Sequence, residues 1–393
     1  MDQVRPAPLG NYGSNGGIPG QGLDTSVWPL MRWLWANSCL EGLQKCHRVR
    51  YGPNVEVFVS ASGGVFYGGF CRCHSVWACP MCATVIRSGR AREMGGGLKV
   101  LIGAGGGCVF STYTLPHDVG DGLARLFDAV AWCWKQVRDD RAVKAVRRRL
   151  GLEFSRSTEV TYGAHGFHPH LHVGEVCERP LTRDEILEYR GACFSAWCRA
   201  VQVAGYRPPS DRYGLTMVRA DAGMAEYANK VEGLASELFR QDRKSGKTES
   251  PFAILRRAVA GDVRAAAVWG EYERVTKNRR MLGQSRGFKR VCKYDEASEA
   301  ELLDPKSSDG LVYVGTLRPE GAHLLVNHPQ GFEGFAEMVG PGTPEAWQAA
   351  CLWLTGTAPL YLTERGWEEI AEEFFAQEAA PVYGSGSTAL ELF

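Results

Sequence analysis

"LEFSRSTEVTYGAHGFHPHLHVGEV", residues 152–176, decides the fold. Two strand-like runs flank the turn-forming Gly163-Ala164-His165-Gly166, so the stretch reads as a β-hairpin. Counting outward from that turn sets Tyr162 opposite Phe167, Thr161 opposite His168 and Glu159 opposite His170. Successive strand side chains point to opposite faces, so His168, His170 and His172 share one face. Three imidazoles side by side make a poor core but suit a divalent cation. The register adds a carboxylate, with directly opposed Cβ atoms about 5 Å apart. His170 and His172, with Glu159 or His168 as a further ligand, leave coordination positions open for a phosphate oxygen. That is the Lewis-acid arrangement of metal-assisted phosphoryl transfer. Pro169 perturbs the strand beside His168, and His165 lies in the turn with no chemical role.

The flanking sequence supplies the rest of a sheet. "CVFSTYTLPH" (108–117) reads as a strand and residues 122–150 as a helix. "TRDEILEYRGACFSAWCRAV" reads as a second helix, with Thr182 and Glu185 at capping-box spacing. "YGLTMVRA" is a further strand, and Asp221 is placed to cap a helix over "AGMAEYANKVEG". The order β, α, β-hairpin, α, β, α across 105–235 implies an α+β unit with a mainly antiparallel sheet. The hairpin strands should be central and the helices should pack on one face. Upstream, the glycines of "GGGLKVLIGAGGG" (95–107) break the pattern before the first strand. They lack the Lys-Ser/Thr ending of a P-loop, so no ATP site and no unwinding activity are expected.

The chain has 393 residues, enough for more than one core. No apolar run approaches the ~20 residues of a membrane span. The start, "MDQVRPAPLGNYGSNGGIPGQG", reads as a disordered arm rather than a signal peptide, so a cytoplasmic location is expected. The 13 cysteines should then be thiols or metal ligands. A formal charge of +1 hides a division: residues 295–393 hold 17 acidic and three basic side chains, leaving 27 acidic and 42 basic in residues 1–294. A basic body suggests a polyanionic partner, and the acidic end a separate role. The sequence divides into a disordered arm (1–24), a helical and zinc-binding module (25–100), a catalytic domain with a basic extension (101–292) and an acidic C-terminal domain (293–393).

Three other features bear on chemistry. On a helix, Tyr227 and Lys230 are neighbours on one face. An ammonium and a metal would favour the phenolate that can attack phosphorus. Tyr227 also fits a core-facing stripe with Met224, Ala228 and Val231, the plainer reading of the helix taken alone. Cys79-Pro-Met-Cys82 has the spacing with which two thiolates grip one tetrahedral zinc ion. The remaining two ligands come from Cys46, Cys71, Cys73, His47 and His74. The other cysteines, at 39, 108, 133, 177, 193, 198, 292 and 351, read as small buried apolar residues. Residues 137–149 carry six basic and two acidic side chains, and 256–290 carry ten and three. The second segment, with Arg279, Arg280, Arg286, Lys289 and Arg290, interleaves Trp269, Tyr272 and Phe288, a pattern that suits phosphate contact and base stacking on a single strand.

In order, "TYTLPH" (112–117), "HPHLH" (168–172) and "YANK" (227–230) resemble the three motifs of HUH endonucleases. The resemblance is to the single-tyrosine initiators of bacterial rolling-circle plasmids of actinobacterial type, and it covers roughly residues 40–290. It implies an HUH domain with an antiparallel sheet flanked by helices, preceded by a small zinc-binding module and followed by the acidic C-terminal domain. It implies that His170 and His172 bind Mg²⁺ or Mn²⁺, that Tyr227 nicks one strand and stays on its 5′ end, and that Lys230 accompanies it. Origin DNA, single-stranded or in a hairpin, is the implied partner, with host helicase and polymerase; no membrane is involved, and a homo-oligomer is left open. "CHSVWACPMC" is similar to the "CGSVWACPVC" run of such initiators and related transposases, which favours Cys46 and Cys73 as the other Zn²⁺ ligands. The initiators often carry a glutamate four residues before the tyrosine, where this chain has Gly223. That leaves the group that ends replication unassigned among Asp221, Glu226 and Glu232. Three other classes remain: a transposase with the same chemistry, a histidine-triad nucleotide hydrolase suggested by His168-Pro-His170-Leu-His172-Val, and a zinc-containing DNA-binding regulator without catalysis.

Overall fold

The structure, a computed structural model, describes residues 27–60, 63–219, 248–307, 310–356 and 390–391. They form two compact units. The first takes residues up to 75, 79–86 and 298 onward; the second takes 76–78 and 87–297. This partition differs from the four-part division by composition, because segments from both ends of the chain share the first unit. Among the described residues no helix is long and apolar enough to cross a membrane.

In the first unit, α1 (Val27–Asn37) and α2 (Glu41–Lys45) precede strands β1 (Val55–Ser60) and β2 (Val65–Tyr67). β1 pairs antiparallel with β2 on one edge and with β9 (Leu311–Leu317) on the other. Helices Pro319–Asn327, Gly331–Val339 and Pro344–Gly356 follow β9. Phe332 sits at the centre of this core, stacked on Trp28 with ring centroids 3.7 Å apart and meeting Tyr67 edge-on at 5.3 Å. Gly315 is required where it stands, since a Cβ there would lie 2.4 Å from the Trp347 ring.

The second unit holds the expected sheet, in the order β6-β3-β5-β4-β7 with β8 also on β4. Its strands are β3 (Gly107–Thr114), β4 (Glu153–Gly163), β5 (Gly166–Cys177), β6 (Leu215–Arg219), β7 (Thr248–Glu249) and β8 (Leu282–Gln284), each ladder antiparallel. The hairpin register is the counted one: Tyr162 faces Phe167, Thr161 faces His168 and Glu159 faces His170. Gly166 at φ 82° closes the turn in the left-handed region that glycine enters without strain.

Helices α4 (Leu123–Asp139) and α6 (Arg183–Val203) cover one face of this sheet, where Tyr113 lies edge-on between Trp134 and Trp197, each 5.3 Å away. α6 begins with the expected capping box of Thr182 and Glu185. The expected single helix over 122–150 is broken at Asp140, whose side chain accepts from the amides of Ala142 and Val143 and starts α5 (Arg141–Leu150).

Four expectations fail here. Helix α3 (Pro80–Gly103) runs straight through Gly95, Gly96 and Gly97, and together with helix Phe288–Cys292 it covers part of the other face. Helices therefore lie on both sides of the sheet. Gly97 permits this, since a Cβ there would come within 2.8 Å of Tyr294 and 2.9 Å of the Cys292 carbonyl. Trp269, Tyr272 and Phe288 are each 1% exposed or less, so they pack the core and present no ring to a base. Among the cysteines expected to be buried, Cys39 is exposed and Cys198 half-buried.

Glu175 on β5 is wholly buried on the helix side, accepting from Ser111 Oγ at 3.0 Å and Tyr189 Oη at 3.2 Å. Burial pushes its carboxyl up to about 8, against the lowering effect of those two hydroxyls. Below its ordinary pKa near 4.5 both folded and unfolded chains hold the proton. Between that value and about 8 only the folded chain keeps it, so stability falls as pH rises across this window and levels off above it. Denaturant unfolding from pH 5 to 8.5 should show the wild type losing on the order of a few kcal/mol relative to Glu175→Gln. Parallel profiles for the two proteins would show that Glu175 does not titrate late.

Candidate metal centres

The second unit's candidate centre is assembled on the two central strands. Glu159 Oε2 lies 2.6 Å from His170 Nε2 and 2.7 Å from His172 Nε2, with all three side chains buried. Each imidazole is fixed from behind. His170 Nδ1 donates to the His168 carbonyl at 3.3 Å. His172 Nδ1 lies 3.1 Å from Thr112 Oγ1 on β3, and Phe110 stacks on its ring at 5.5 Å. Engaging Nδ1 in this way aims Nε2 at the carboxylate, as in histidine ligands held by outer hydrogen bonds.

Burial alone would raise the Glu159 carboxyl, but hydrogen bonds and charge from His170 and His172 outweigh it and hold it well below the usual carboxylate range. A carbonyl only accepts, so His170 Nδ1 carries a proton, and a neutral ring would then turn a lone pair on Glu159. The short contact is therefore bridged by a further proton or by a cation. The three donors can hold a metal ion. Cis ligands of an octahedral Mg²⁺ stand about 3.0 Å apart, so the group has to spread by only a few tenths of an ångström.

His168 shares the face but stands outside this trio. Its Nδ1 lies 2.7 Å from Nε2 of His117, whose ring the sequence marks only as the end of "TLPH". Thr112 opens the same "TYTLPH" run, but its role appears only when β3 is set beside β5. Tyr227, Lys230, Asp221, Gly223, Glu226 and Glu232 lie outside the described residues.

The first unit's candidate centre is Cys46, Cys73, Cys79 and Cys82. Sulfur separations of 3.7 Å (46–79), 3.6 Å (46–82) and 3.8 Å (73–82) match the spacing of about 3.8 Å expected for four thiolates tetrahedral around zinc at about 2.3 Å. The group can therefore hold a metal such as zinc. Hydrogen bonds from Cys46, Cys73 and Cys79 hold the Cys82 thiol well below its ordinary range. His47 and His74, which follow Cys46 and Cys73, both adopt φ 54°, a strained turn for a side chain of that size.

His47 backs the centre from outside it. Arg72 can only donate, so His47 Nε2 accepts from it, and the ring proton on Nδ1 points to Cys46 Sγ at 3.3 Å. Burial, then the charge of Arg72, keeps this imidazole neutral.

Of the arginines and lysine expected at DNA, Arg279 is held by Asp128 at 2.6 Å and lies over the Phe127 ring at 4.8 Å. Lys289 pairs with Glu296, and Arg290 lies 3.5 Å from Glu178. Arg280 and Arg286 are exposed, with no carboxylate partner among the described residues.

The chain is 30% identical over 330 residues to Protein rep of Streptomyces lividans, covering 65% of this chain and 72% of that protein. It is 26% identical over 141 residues to the Neomycin resistance protein of Streptomyces cyanogenus, covering 29% of this chain and 32% of that protein. No family model and no solved structure matches it.

Metal analysis of purified protein should find one zinc per chain, lost in Cys73→Ser and Cys79→Ser and retained in Cys71→Ser. Full zinc content in Cys79→Ser would remove that cysteine from the ligand set.

Proposed function

The chain belongs to the family of Protein rep from Streptomyces lividans, and on that premise we propose that it initiates plasmid replication by nicking and rejoining one strand of origin DNA. The observation that carries this reading is the buried Glu159–His170–His172 group, with both imidazoles locked by outer hydrogen bonds. Those three residues would hold Mg²⁺ or Mn²⁺, which when bound supplies Lewis-acid polarisation of the scissile phosphate.

The other roles fall to the chain's own groups. Tyr227 is the nucleophile: its phenolic oxygen bonds to phosphorus as the bond from phosphorus to the 3′-oxygen breaks. The 3′-oxygen leaves and takes a proton from water, giving a 3′-hydroxyl that a host polymerase extends. The 5′ end stays on the protein as a phosphotyrosine ester, and attack by a 3′-hydroxyl reverses the step and rejoins the strand. Lys230 steadies the phenolate. Thr112 and the His168 carbonyl position the two imidazoles. The Cys46, Cys73, Cys79 and Cys82 group is structural, holding zinc in the first unit. Arg280 and Arg286 meet DNA phosphates. Host helicase opens the duplex. A histidine-triad hydrolase fits less well, because that chemistry needs a free histidine nitrogen to attack phosphorus and both Nε2 atoms turn to Glu159.

The test incubates protein and Mn²⁺ with end-labelled single-stranded fragments of the replicon that encodes it. The wild type should nick one fragment and form a covalent adduct on a denaturing gel, and Tyr227→Phe should form none. His170→Ala should lose more than the roughly 10–100-fold that removal of an outer partner costs, and Thr112→Val should fall within that range. An adduct that survives in Tyr227→Phe would move the nucleophile elsewhere. DNA binding without any nick would favour a non-catalytic regulator.

A further inference from the structure

The sheet face turned away from Glu159 carries a cluster of positive charge. Phe154, Arg156 and Thr158 alternate along β4 on that side. Trp134 of α4 meets Phe154 edge-on at 5.4 Å, and Arg138 follows one turn later on the same side of the helix. From the other direction comes the segment leading into β8. The Met281 carbonyl accepts from the Thr158 amide at 3.0 Å, and Gly283 pairs with Arg156 in register. The Arg156 guanidinium lies against Gly283, where a Cβ would meet Nε at 3.1 Å. Arg280, one residue before Met281, is thereby brought to Arg156. Burial, then the charges of Arg138 and Arg280, make Arg156 less basic than usual, so the three act on one another.

Among the described residues no carboxylate is within ion-pair distance of these three. Asp139 feels the charge of Arg138 but gives its hydrogen bond to Lys144 at 3.1 Å, and Asp128 is taken by Arg279. Arg156 donates to Thr158 Oγ1 at 2.9 Å. Arg138 Nε is buried with no hydrogen-bond partner among the described residues. Guanidiniums do not shed their charge when half-buried, as Arg138 and Arg156 are, and with the exposed Arg280 beside them the charge of Asp139, the acid next to Arg138, leaves an excess of positive charge. Their forked donors match a tetrahedral oxyanion.

We propose that Arg138, Arg156 and Arg280 form a phosphate-binding site on the sheet face opposite Glu159, His170 and His172. Its source is a backbone phosphate of origin DNA flanking the nick, an assignment that rests on the proposed function; the phosphate chemistry does not. Such a contact fixes the position of the DNA and reads no base.

The experiment has two arms on the full chain. In the first, thermal unfolding is followed with millimolar inorganic phosphate at constant ionic strength for wild type, Arg138→Gln and Arg156→Lys. Phosphate should raise the wild-type Tm, leave Arg138→Gln unmoved, and raise Arg156→Lys by less, because lysine keeps the charge and loses the fork. In the second, binding of an origin duplex is measured across salt. Arg138→Gln should bind about tenfold more weakly, and the slope of log K against log salt should be shallower by about 0.9. A phosphate shift lost in the variants with an unchanged DNA slope would keep the site and assign it to a free phosphate or small phosphorylated ligand. No shift in the wild type, or the same shift in all three proteins, would overturn it. If the protein nicks no strand yet shows the phosphate response, the replication reading fails and the site stands.

Discussion

The pairing of Glu159 with His170 is the constraint on which the second unit's candidate site depends. β4 and β5 form one uninterrupted antiparallel ladder from Glu153–Val176 to Gly163–Gly166, and a single tight turn sets its register. A slip of one residue would send the histidines to the helix side, among Tyr113, Trp134 and Trp197, and bring Leu171 or Val173 to the carboxylate. No local repacking could restore the trio. The positive φ of Gly166 therefore matters to the chemistry although the residue lies far along the strand from it.

Placing the histidines on β5 also gives them neighbours on two sides. β3 lies along one edge and β4 along the other, so Thr112 reaches His172 from the first and Glu159 reaches both imidazoles from the second. An edge strand would offer only one of these. The same strand turns Glu175 to the opposite face, where two hydroxyls hydrogen-bond it and the charge of Arg147 acts more weakly. Two glutamates opposite or along one strand thus acquire contrary character: Glu159 is held ionised by imidazoles, and Glu175 is kept protonated by burial.

What the sequence disclosed was local. Strand alternation around a Gly-rich turn gave the register, the Thr182–Glu185 spacing gave a helix start, and the Cys79–Cys82 spacing gave one half of a thiolate group that Cys46 and Cys73 complete in space. What it concealed depends on distant partners. Glycines at 95–97 read as a break because intrinsic propensity disfavours them, yet α3 continues there, and Gly97 leaves room for Cys292 and Tyr294. Trp269, Tyr272 and Phe288 sit among basic residues and look like stacking rings, but their apolar faces are buried in the core. Arg279 looks available until Asp128 and Phe127 are brought to it. The pairing of β1 with β9 joins stretches with no shared periodicity or charge pattern.

That last pairing has a consequence in time. β1 is complete once Ser60 has been made, but its partner β9 begins at Leu311, about 250 residues later. At 5–20 residues per second the ribosome needs roughly 13–50 s to supply it. For that interval one edge of β1 waits without the strand that finally covers it, while Cys46, Cys73, Cys79 and Cys82 are all present almost from the start. A metal gathered by those four sulfurs would give the early segment a fixed shape long before its sheet can close.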